Sequence, residues 1–303
     1  MTRTAGLLSL LRCPDCGEPF APEGEWLACR GAAGHRFPVV DGVPVFLGGA
    51  ALEEDGQYGR QLEYFDAQFS RYRDYHLDRW RESYLKRLRD ARALGGPGAP
   101  LIDVGVGGSG YTVIEAAKEG RPAIGCDLSL AGLRVARRFA ADEGVADSTL
   151  FVCCSAEALP FASDAFDVAL AIAVIEHVPD DQSALAEMAR LLRPGGRAWI
   201  TVPHDLQHFS PLFWYPNVAH DRRLGHLRRY SAGPLEERCR RLGLVADEVQ
   251  WTGHAIKALQ IALADRLHGR RADRFWWWCE TRDLARAHRR RGSMQLGMTF
   301  RRA

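Results

Sequence analysis

Short apolar runs recur through the middle of the chain, each bounded by glycine, proline or aspartate. Such runs are typical of strands that are buried on both faces of a parallel sheet. Between them lie stretches with the hydrophobic spacing of helices. The predicted strands are residues 101–104, 123–126, 150–153, 168–173 and 198–202. The predicted helices are residues 111–118, 130–143 and 181–192.

Alternation of strand and helix predicts an α/β fold with a doubly wound, mostly parallel sheet. Ligands of such sheets bind outside the carboxyl ends of the strands. Further along, Met294, Leu296, Met298 and Phe300 alternate with polar or small residues, which predicts a late strand with one exposed face. An aromatic-rich stretch at residues 58–94 predicts a helix before the first strand.

A glycine-rich turn separates the first predicted strand from the first helix. Residues 103–110 have the sequence Asp-Val-Gly-Val-Gly-Gly-Ser-Gly, which lets the backbone turn sharply and approach a ligand without a Cβ atom. The next strand ends in Asp127, where an acid can accept hydrogen bonds from ribose hydroxyls. This pattern predicts a nucleoside cofactor, although the glycine spacing alone also fits a dinucleotide site.

Four motifs follow in order: Ala-Glu-Ala-Leu-Pro-Phe at 156–161, Phe-Asp at 166–167, Glu-His-Val at 176–178 and Leu-Arg-Pro-Gly-Gly at 192–196. With them, residues 100–250 resemble the class I S-adenosylmethionine-dependent methyltransferases, in particular the small-molecule group. The resemblance implies a seven-stranded sheet and S-adenosylmethionine as the cofactor. It also implies that the last strand is an antiparallel edge strand, displaced by a helical insert at about 254–290.

Site residues follow from the resemblance by position. The glycine turn is expected to face the methionine part of the cofactor and Asp127 its ribose, while Ser155 stands where the family usually has an adenine-binding Asp. The helix at 58–94 is expected to act as a lid, with Arg81 offered to the cofactor's carboxylate. Ile172 and Ala173 replace the Ser and Glu that are common in related sequences. The cofactor-binding candidates are Arg81, Asp103, Gly105, Gly107, Gly110, Asp127, Leu128, Ser155, Ala156, Glu157 and Ala171.

The predicted reaction, an in-line displacement at a sulfonium methyl, depends mainly on the alignment of its reactants. A base is needed only where the acceptor arrives protonated, and histidine suits that task. The candidates for deprotonating or orienting an acceptor are His177, His204, His226 and Tyr230. For His177, a structural role as a hydrogen-bonding residue is an equal alternative.

An upstream constellation predicts a structural zinc site. Cys13 and Cys16 form a Cys-x-x-Cys pair, and Cys29 and His35 follow after a hairpin-sized spacer. A segment this short buries little core, so a metal would supply the missing stability. The segment resembles the Trm112-like small zinc ribbons and the ribbon of a bacterial ribosomal RNA guanine methyltransferase. The predicted domains are a zinc ribbon at 1–50, a helical lid or linker at 51–98 and a methyltransferase domain at 99–303.

Charge and composition leave the partners open. The net charge of +2 gives no overall attraction to nucleic acid, yet residues 266–303 are rich in arginine around three consecutive tryptophans. That region either stacks on bases or is a helical insert whose tryptophans cover the sheet or a dimer partner. No apolar run approaches the ~18 residues of a membrane span. Without a signal peptide or a disulfide pattern, we expect a soluble cytoplasmic protein.

Three functional hypotheses follow. The first is methyl transfer to oxygen, nitrogen or carbon of a small molecule. The second is a ribosomal or transfer RNA base methyltransferase, whose binding would weaken steeply with salt. The third is a non-catalytic protein that has kept the cofactor fold.

Overall fold

The computed structural model describes residues 3–47, 57–90, 96, 98–208, 214–254 and 270–303. Its first part is a short helix followed by a four-stranded antiparallel sheet in which neighbours in sequence pair. The elements are α1 (Arg3–Leu8), β1 (Phe20–Glu23), β2 (Trp26–Cys29), β3 (Arg36–Val40) and β4 (Val43–Pro44). Asp41 and Gly42 link β3 to β4 with φ of 50° and 76°, as the Asp-Gly pair of a tight hairpin requires.

This small sheet adjoins a larger one. Val45, just after β4, forms a parallel bridge with Cys153, and the Phe46 N–H donates to the Cys153 carbonyl over 2.8 Å. Leu11 pairs with Phe161 nearby. The N-terminal sheet is therefore attached to the main sheet by backbone pairing as well as by side chains.

Two helices, α2 (Gln57–Phe69) and α3 (Arg79–Asp90), come next. The prediction of one helix over residues 58–94 was wrong, since residues 70–78 are not helical. Asp78 explains where α3 begins, because its Oδ1 accepts the Arg81 N–H over 2.9 Å as an N-terminal cap.

The main sheet has seven strands in the order β10-β11-β9-β8-β5-β6-β7. The strands are β5 (Leu101–Val104), β6 (Ala123–Asp127), β7 (Thr149–Cys153), β8 (Phe166–Ile172), β9 (Leu192–Pro203), β10 (Leu244–Thr252) and β11 (Gln295–Arg302). The helices of this part are α4 (Tyr111–Lys118), α5 (Leu130–Asp142), α6 (Asp181–Leu191), α7 (Trp214–Leu224), α8 (Ala232–Arg241) and α9 (Arg270–Leu284). Two separate apolar clusters pack around the sheet. The predicted doubly wound, seven-stranded α/β sheet is thus confirmed.

The last strand is antiparallel, as predicted, but two further expectations about it were wrong. β11 is not at the edge, because it lies between β9 and β10 and pairs with both. It does not expose one face either, since every residue from Leu296 to Phe300 is buried. The edge strand is β10, whose mixed polar sequence gave no strand prediction.

The predicted insert at about 254–290 is described only in part. Its second half contains α9, while residues 255–269 lie outside the described residues. Within α9, Trp276 is buried against Phe275 and Cys279, whereas Trp277 and Trp278 are exposed. Among the described helices, none is both long and apolar enough to cross a bilayer.

Candidate active site

A cavity with about 750 Å³ of empty space, part of it open to solvent, lies at the carboxyl ends of the central strands. This is where doubly wound sheets bind ligands. Helix α2 covers it. Its lining residues are Tyr58, Gln61, Leu62, Phe65, Phe69, Val104, Gly105, Gly107, Cys126, Asp127, Leu128, Ser129, Cys154, Ala156, Ala173, Val174, His177 and Val178.

Asp127 ends β6 at the floor of the cavity. Its Oδ2 accepts the Gly107 N–H and its Oδ1 accepts the Ser129 N–H, each over 2.9 Å. Burial raises the pKa of Asp127 above its ordinary value, while these two N–H groups act to lower it. The carboxylate is therefore fixed in orientation by the glycine turn on one side and the start of α5 on the other.

The glycine turn is required by backbone conformation and by space. Gly105 and Gly107 have φ of 72° and 64°, in the left-handed region that favours glycine. A Cβ on Gly105 would also overlap Val174, from the loop after β8. Gly110 has a positive φ too, but it precedes α4 and does not line the cavity.

Asp103 lies in β5, just before the glycine turn. It is buried, and Thr112 Oγ1 donates a hydrogen bond to its Oδ2. Burial raises the pKa of Asp103 to about 7. Asp103 does not line the cavity, so its position is that of a support beneath the turn.

Helix α2 covers the cavity through contacts with four different loops. The Phe69 ring packs on the glycine turn, 3.2 Å from where a Gly107 Cβ would lie. Gln61 Nε2 donates to the carbonyls of His177 and Gly225 over 3.1 and 3.2 Å. Tyr58 Oη donates to Glu157 Oε2 over 2.6 Å. Helix α2 therefore covers the cavity, with Phe65 and Phe69 in its lining, and a role as a lid stays a prediction.

The packing of Phe69, from α2, against α5 can be tested directly by mutation. Gly132, in the first turn of α5, would place a Cβ 2.5 Å from Phe69 Cδ2. Alanine there favours the helix by about 1 kcal/mol on propensity alone, but overpacking costs about 1–3 kcal/mol. We therefore expect Gly132→Ala to lower the free energy of unfolding, measured with urea, and to displace α2.

A matched control is Gly233→Ala, in the first turn of α8, where an added Cβ meets nothing within 4 Å. This variant is expected to be neutral or slightly more stable. Equal stability of the two variants would contradict the packing of Phe69 on α5.

The segment after β7 carries the motif that resembles an adenine-binding site. Ala156 lines the cavity, whereas Ser155 and Glu157 do not. Ser155 Oγ accepts the Glu157 N–H over 3.2 Å, and Glu157 Oε1 accepts the Asp180 N–H over 2.8 Å. Both side chains therefore order this loop and hold Tyr58.

Among the four catalytic candidates, His177 lines the cavity and the other three do not. Its ring packs edge-to-face against Phe65 and His226, with centroid distances of 5.6 and 4.7 Å. Burial, followed by His226, lowers the pKa of His177 to about 4. The structure thus brings His177 and His226 together at one wall of the cavity.

His204 and Tyr230 lie elsewhere. His204 is fully buried, with Nδ1 2.7 Å from Ser293 Oγ, and its ring stacks on His208. Tyr230 Oη donates to Asp181 Oδ2 over 2.8 Å. Both side chains join loops of the sheet, and neither is among the residues that line the cavity.

Two cofactor candidates also lie away from the lining. Arg81 pairs with Asp78, Nη1 to Oδ2 at 2.8 Å, and stacks on Tyr72. Ala171 is fully buried within β8. Conversely, Cys126 and Cys154 line the cavity and also belong to the buried core, and neither was among the candidates. Their positions near the carboxyl ends of β6 and β7 could have indicated this, since ligands bind at those strand ends.

The four predicted zinc ligands converge. Cys13 Sγ lies 3.3 Å from His35 Nδ1, Cys16 Sγ lies 3.3 Å from Cys29 Sγ, and all four ligand atoms lie within 4.8 Å of one another. Three thiols and an imidazole at such spacing fit a closed tetrahedral site. The cluster is confirmed, and the binding of zinc to it stays a prediction.

Known proteins with similar sequences include methyltransferases. Residues 102–200 match a family model described as a methyltransferase domain. Methyltransferase GfsG of Streptomyces halstedii is 40% identical over 100 residues, which cover 33% of this chain and 36% of that protein. The ubiquinone biosynthesis O-methyltransferase of Parvibaculum lavamentivorans is 34% identical over 130 residues, 40% of this chain and 50% of that one. The chain thus spans between about a third and half of these relatives' lengths.

Solved structures share the fold more widely. Geranyl diphosphate C-methyltransferase from Streptomyces coelicolor superposes with a TM-score of 0.55 at 18% identity, covering 80% of this chain and 98% of that one. The cyclase SpnF superposes with a TM-score of 0.53 at 22% identity, covering 81% and 93%. At these identities the likeness shows the fold alone. Residues 102–200 thus match a methyltransferase domain in sequence, and the seven-stranded sheet fits the class I fold.

Proposed function

We propose that the protein transfers a methyl group from S-adenosylmethionine to a small-molecule acceptor. The observation that carries the proposal is the covered cavity that runs from Asp127 to His177. When bound, the cofactor supplies an electrophilic methyl group on its sulfonium sulfur.

The residues present suit this cofactor. The glycine turn leaves its backbone open to the cavity, and a Cβ on Gly105 would fill the space that Val174 occupies. Asp127 offers a fixed carboxylate suited to ribose hydroxyls, and Leu128 and Ala156 add apolar walls. We assign Asp127, the turn at Gly105 and Gly107, Leu128 and Ala156 to cofactor binding, with Tyr58 and Phe69 as additions from α2.

The acceptor side favours a small molecule. Helix α2 covers the cavity, and Phe65, Val174 and Val178 give it apolar walls. We assign His177 to contact with the acceptor, since its ring reaches the cavity. An RNA base would have to enter past α2, and the described residues that line the cavity include no arginine or lysine to bind its phosphates. We also propose that the Cys13, Cys16, Cys29 and His35 cluster binds one zinc ion with a structural role.

Calorimetry with S-adenosylmethionine and its demethylated product tests the first half of this proposal. We expect both to bind, with an affinity that changes little between 50 and 500 mM salt. The same fold is present in a cyclase, so binding alone does not establish methyl transfer. Release of S-adenosylhomocysteine with a panel of hydroxylated, amino and activated-carbon acceptors tests the second half. Turnover of ribosomal or transfer RNA with a steep salt dependence would contradict the small-molecule assignment.

A further inference from the structure

A second group of metal-ligand side chains lies at the cavity wall that His177 forms. Glu176 and His177 follow β8, and His226 follows α7. One ligand atom from each lies within 4.8 Å of the other two. These residues are separate from the N-terminal cysteine cluster.

Glu176 is unusual within this group. Its side chain is 1% exposed, and neither carboxylate oxygen has a hydrogen-bond partner among the described residues. Leaving a buried carboxylate unpaired costs several kcal/mol, so buried carboxylates are normally paired, protonated or bound to a metal. An unpartnered carboxylate beside two imidazoles thus has both the chemistry and the position of a cation ligand.

His226 is oriented as metal-binding histidines commonly are. Its Nδ1 lies 2.7 Å from Asp221 Oδ1, which leaves Nε2 as the ring atom available to a cation. A carboxylate on the outer ring nitrogen fixes the tautomer and the direction of such a ligand. Asp221 is itself held by Arg229, whose Nε donates to Asp221 Oδ2 over 2.7 Å. Arg229 and Asp221 thus form an ion pair, which fixes the carboxylate that orients His226.

The backbone around the site is tied together by short contacts. The Leu227 N–H donates to the Glu176 carbonyl over 2.8 Å, which joins the segment after α7 to the loop after β8. Gln61 Nε2 bridges the same two segments from α2, through the carbonyls of His177 and Gly225. The segments that carry the three side chains are therefore joined to one another, as a preorganised ligand set requires.

We propose that Glu176, His177 and His226 bind a divalent cation. Two imidazoles and one carboxylate suit Mn²⁺, Fe²⁺, Co²⁺ or Zn²⁺, and three protein ligands leave coordination positions open. Because His177 lines the cavity, those positions are accessible from the acceptor side. The site then selects acceptors with an oxygen donor, such as a hydroxyl group, and this last point rests on the proposed function.

Titration of the full-length protein with Mn²⁺, followed by the loss of the free-ion electron paramagnetic resonance signal, tests the site. Mn²⁺ prefers nitrogen and oxygen ligands over thiolates, so it reports on this group and not on the cysteine cluster. We expect one site in the wild-type protein and no detectable binding by Glu176→Gln or His226→Ala. Asp221→Asn is expected to weaken binding by roughly 10- to 100-fold. Glu236→Gln, at an exposed position of α8, is the matched control and keeps full binding.

Thermal unfolding separates loss of the site from loss of the fold. Without metal, Glu176→Gln replaces a buried carboxyl that has no hydrogen-bond partner among the described residues, and the variant is expected to be as stable as wild type or more stable. Stabilisation by added Mn²⁺ should appear in wild type and vanish in this variant. Absence of Mn²⁺ binding to wild type, or undiminished binding to Glu176→Gln, would overturn the proposal.

Calorimetry with S-adenosylhomocysteine distinguishes this proposal from the proposed function. Retained binding of that ligand by Glu176→Gln, together with loss of Mn²⁺, supports a separate cation site. Binding of Mn²⁺ by a wild-type protein that binds no S-adenosyl ligand would support the cation site and overturn the proposed function instead.

Discussion

Replacement of Asp127 by asparagine is expected to lower the affinity for S-adenosylhomocysteine by about 100-fold. Hydrogen bonds to a charged group contribute about 1.5–3 kcal/mol each, and the variant loses that charge. The amide also suits its surroundings poorly, because both carboxylate oxygens of Asp127 accept backbone N–H groups. An asparagine accepts from one of them and turns its own NH₂ toward the other. Isothermal titration calorimetry measures the loss directly.

The control is Asp142→Asn, at the exposed end of α5, which leaves the charge of the cavity unchanged. Circular dichroism should show that both variants keep their secondary structure. An Asp127→Asn protein that binds the ligand as tightly as the control does would refute the assignment of this residue to the cofactor.

Loss of one cysteine ligand is expected to unfold the N-terminal sheet. Structural zinc contributes about 10–16 kcal/mol in small zinc peptides at neutral pH, more than a module of this size gains from its own core. Cys29→Ser removes a ligand from a cluster whose four donor atoms lie within 4.8 Å of one another. We expect its zinc content, measured by mass spectrometry of the purified protein, to fall from about one ion per chain to a small fraction.

Proteolysis locates the damage. Cleavage of the Cys29→Ser protein should begin within residues 3–47, while the core of the main sheet stays resistant. Cys239→Ala, at a buried position of α8, serves as the comparison, because it removes a thiol far from the cluster in sequence and leaves the metal content unchanged. Full zinc content in Cys29→Ser, or none in the wild-type protein, would contradict a zinc site.

The central strands could be predicted from the sequence, because each one is a short apolar run that is followed by a turn-forming residue. Apolar runs that end in Asp or Gly are typical of buried strands in a parallel sheet. The strands at 101–104 and 123–127 lie within a residue of their predicted bounds. The cysteine cluster was predictable for a similar reason, since ligand spacing is a strong constraint on a short chain.

Other features depended on contacts that a pattern does not contain. The polar residues of β10 gave no strand pattern in the sequence. This segment forms a strand because it pairs with β11 from Leu244 to Thr252. The ring of His204 was as plausible a candidate as that of His177, and only tertiary packing turned it toward Ser293. Glu176 belongs to a motif that the sequence shows, but the sequence does not show that its carboxylate is buried without a hydrogen-bond partner among the described residues. That property depends on how the segment after α7 packs beside it.

The pairing of Val45 and Phe46 with Cys153 has a consequence for solubility. β7 is the outermost strand of the main sheet on that side, so its unpaired backbone groups would otherwise be a template for joining another chain. The residues that follow β4 occupy part of that template. If the cysteine cluster holds zinc as proposed, loss of the metal is expected to expose this edge of β7 to pairing with another chain.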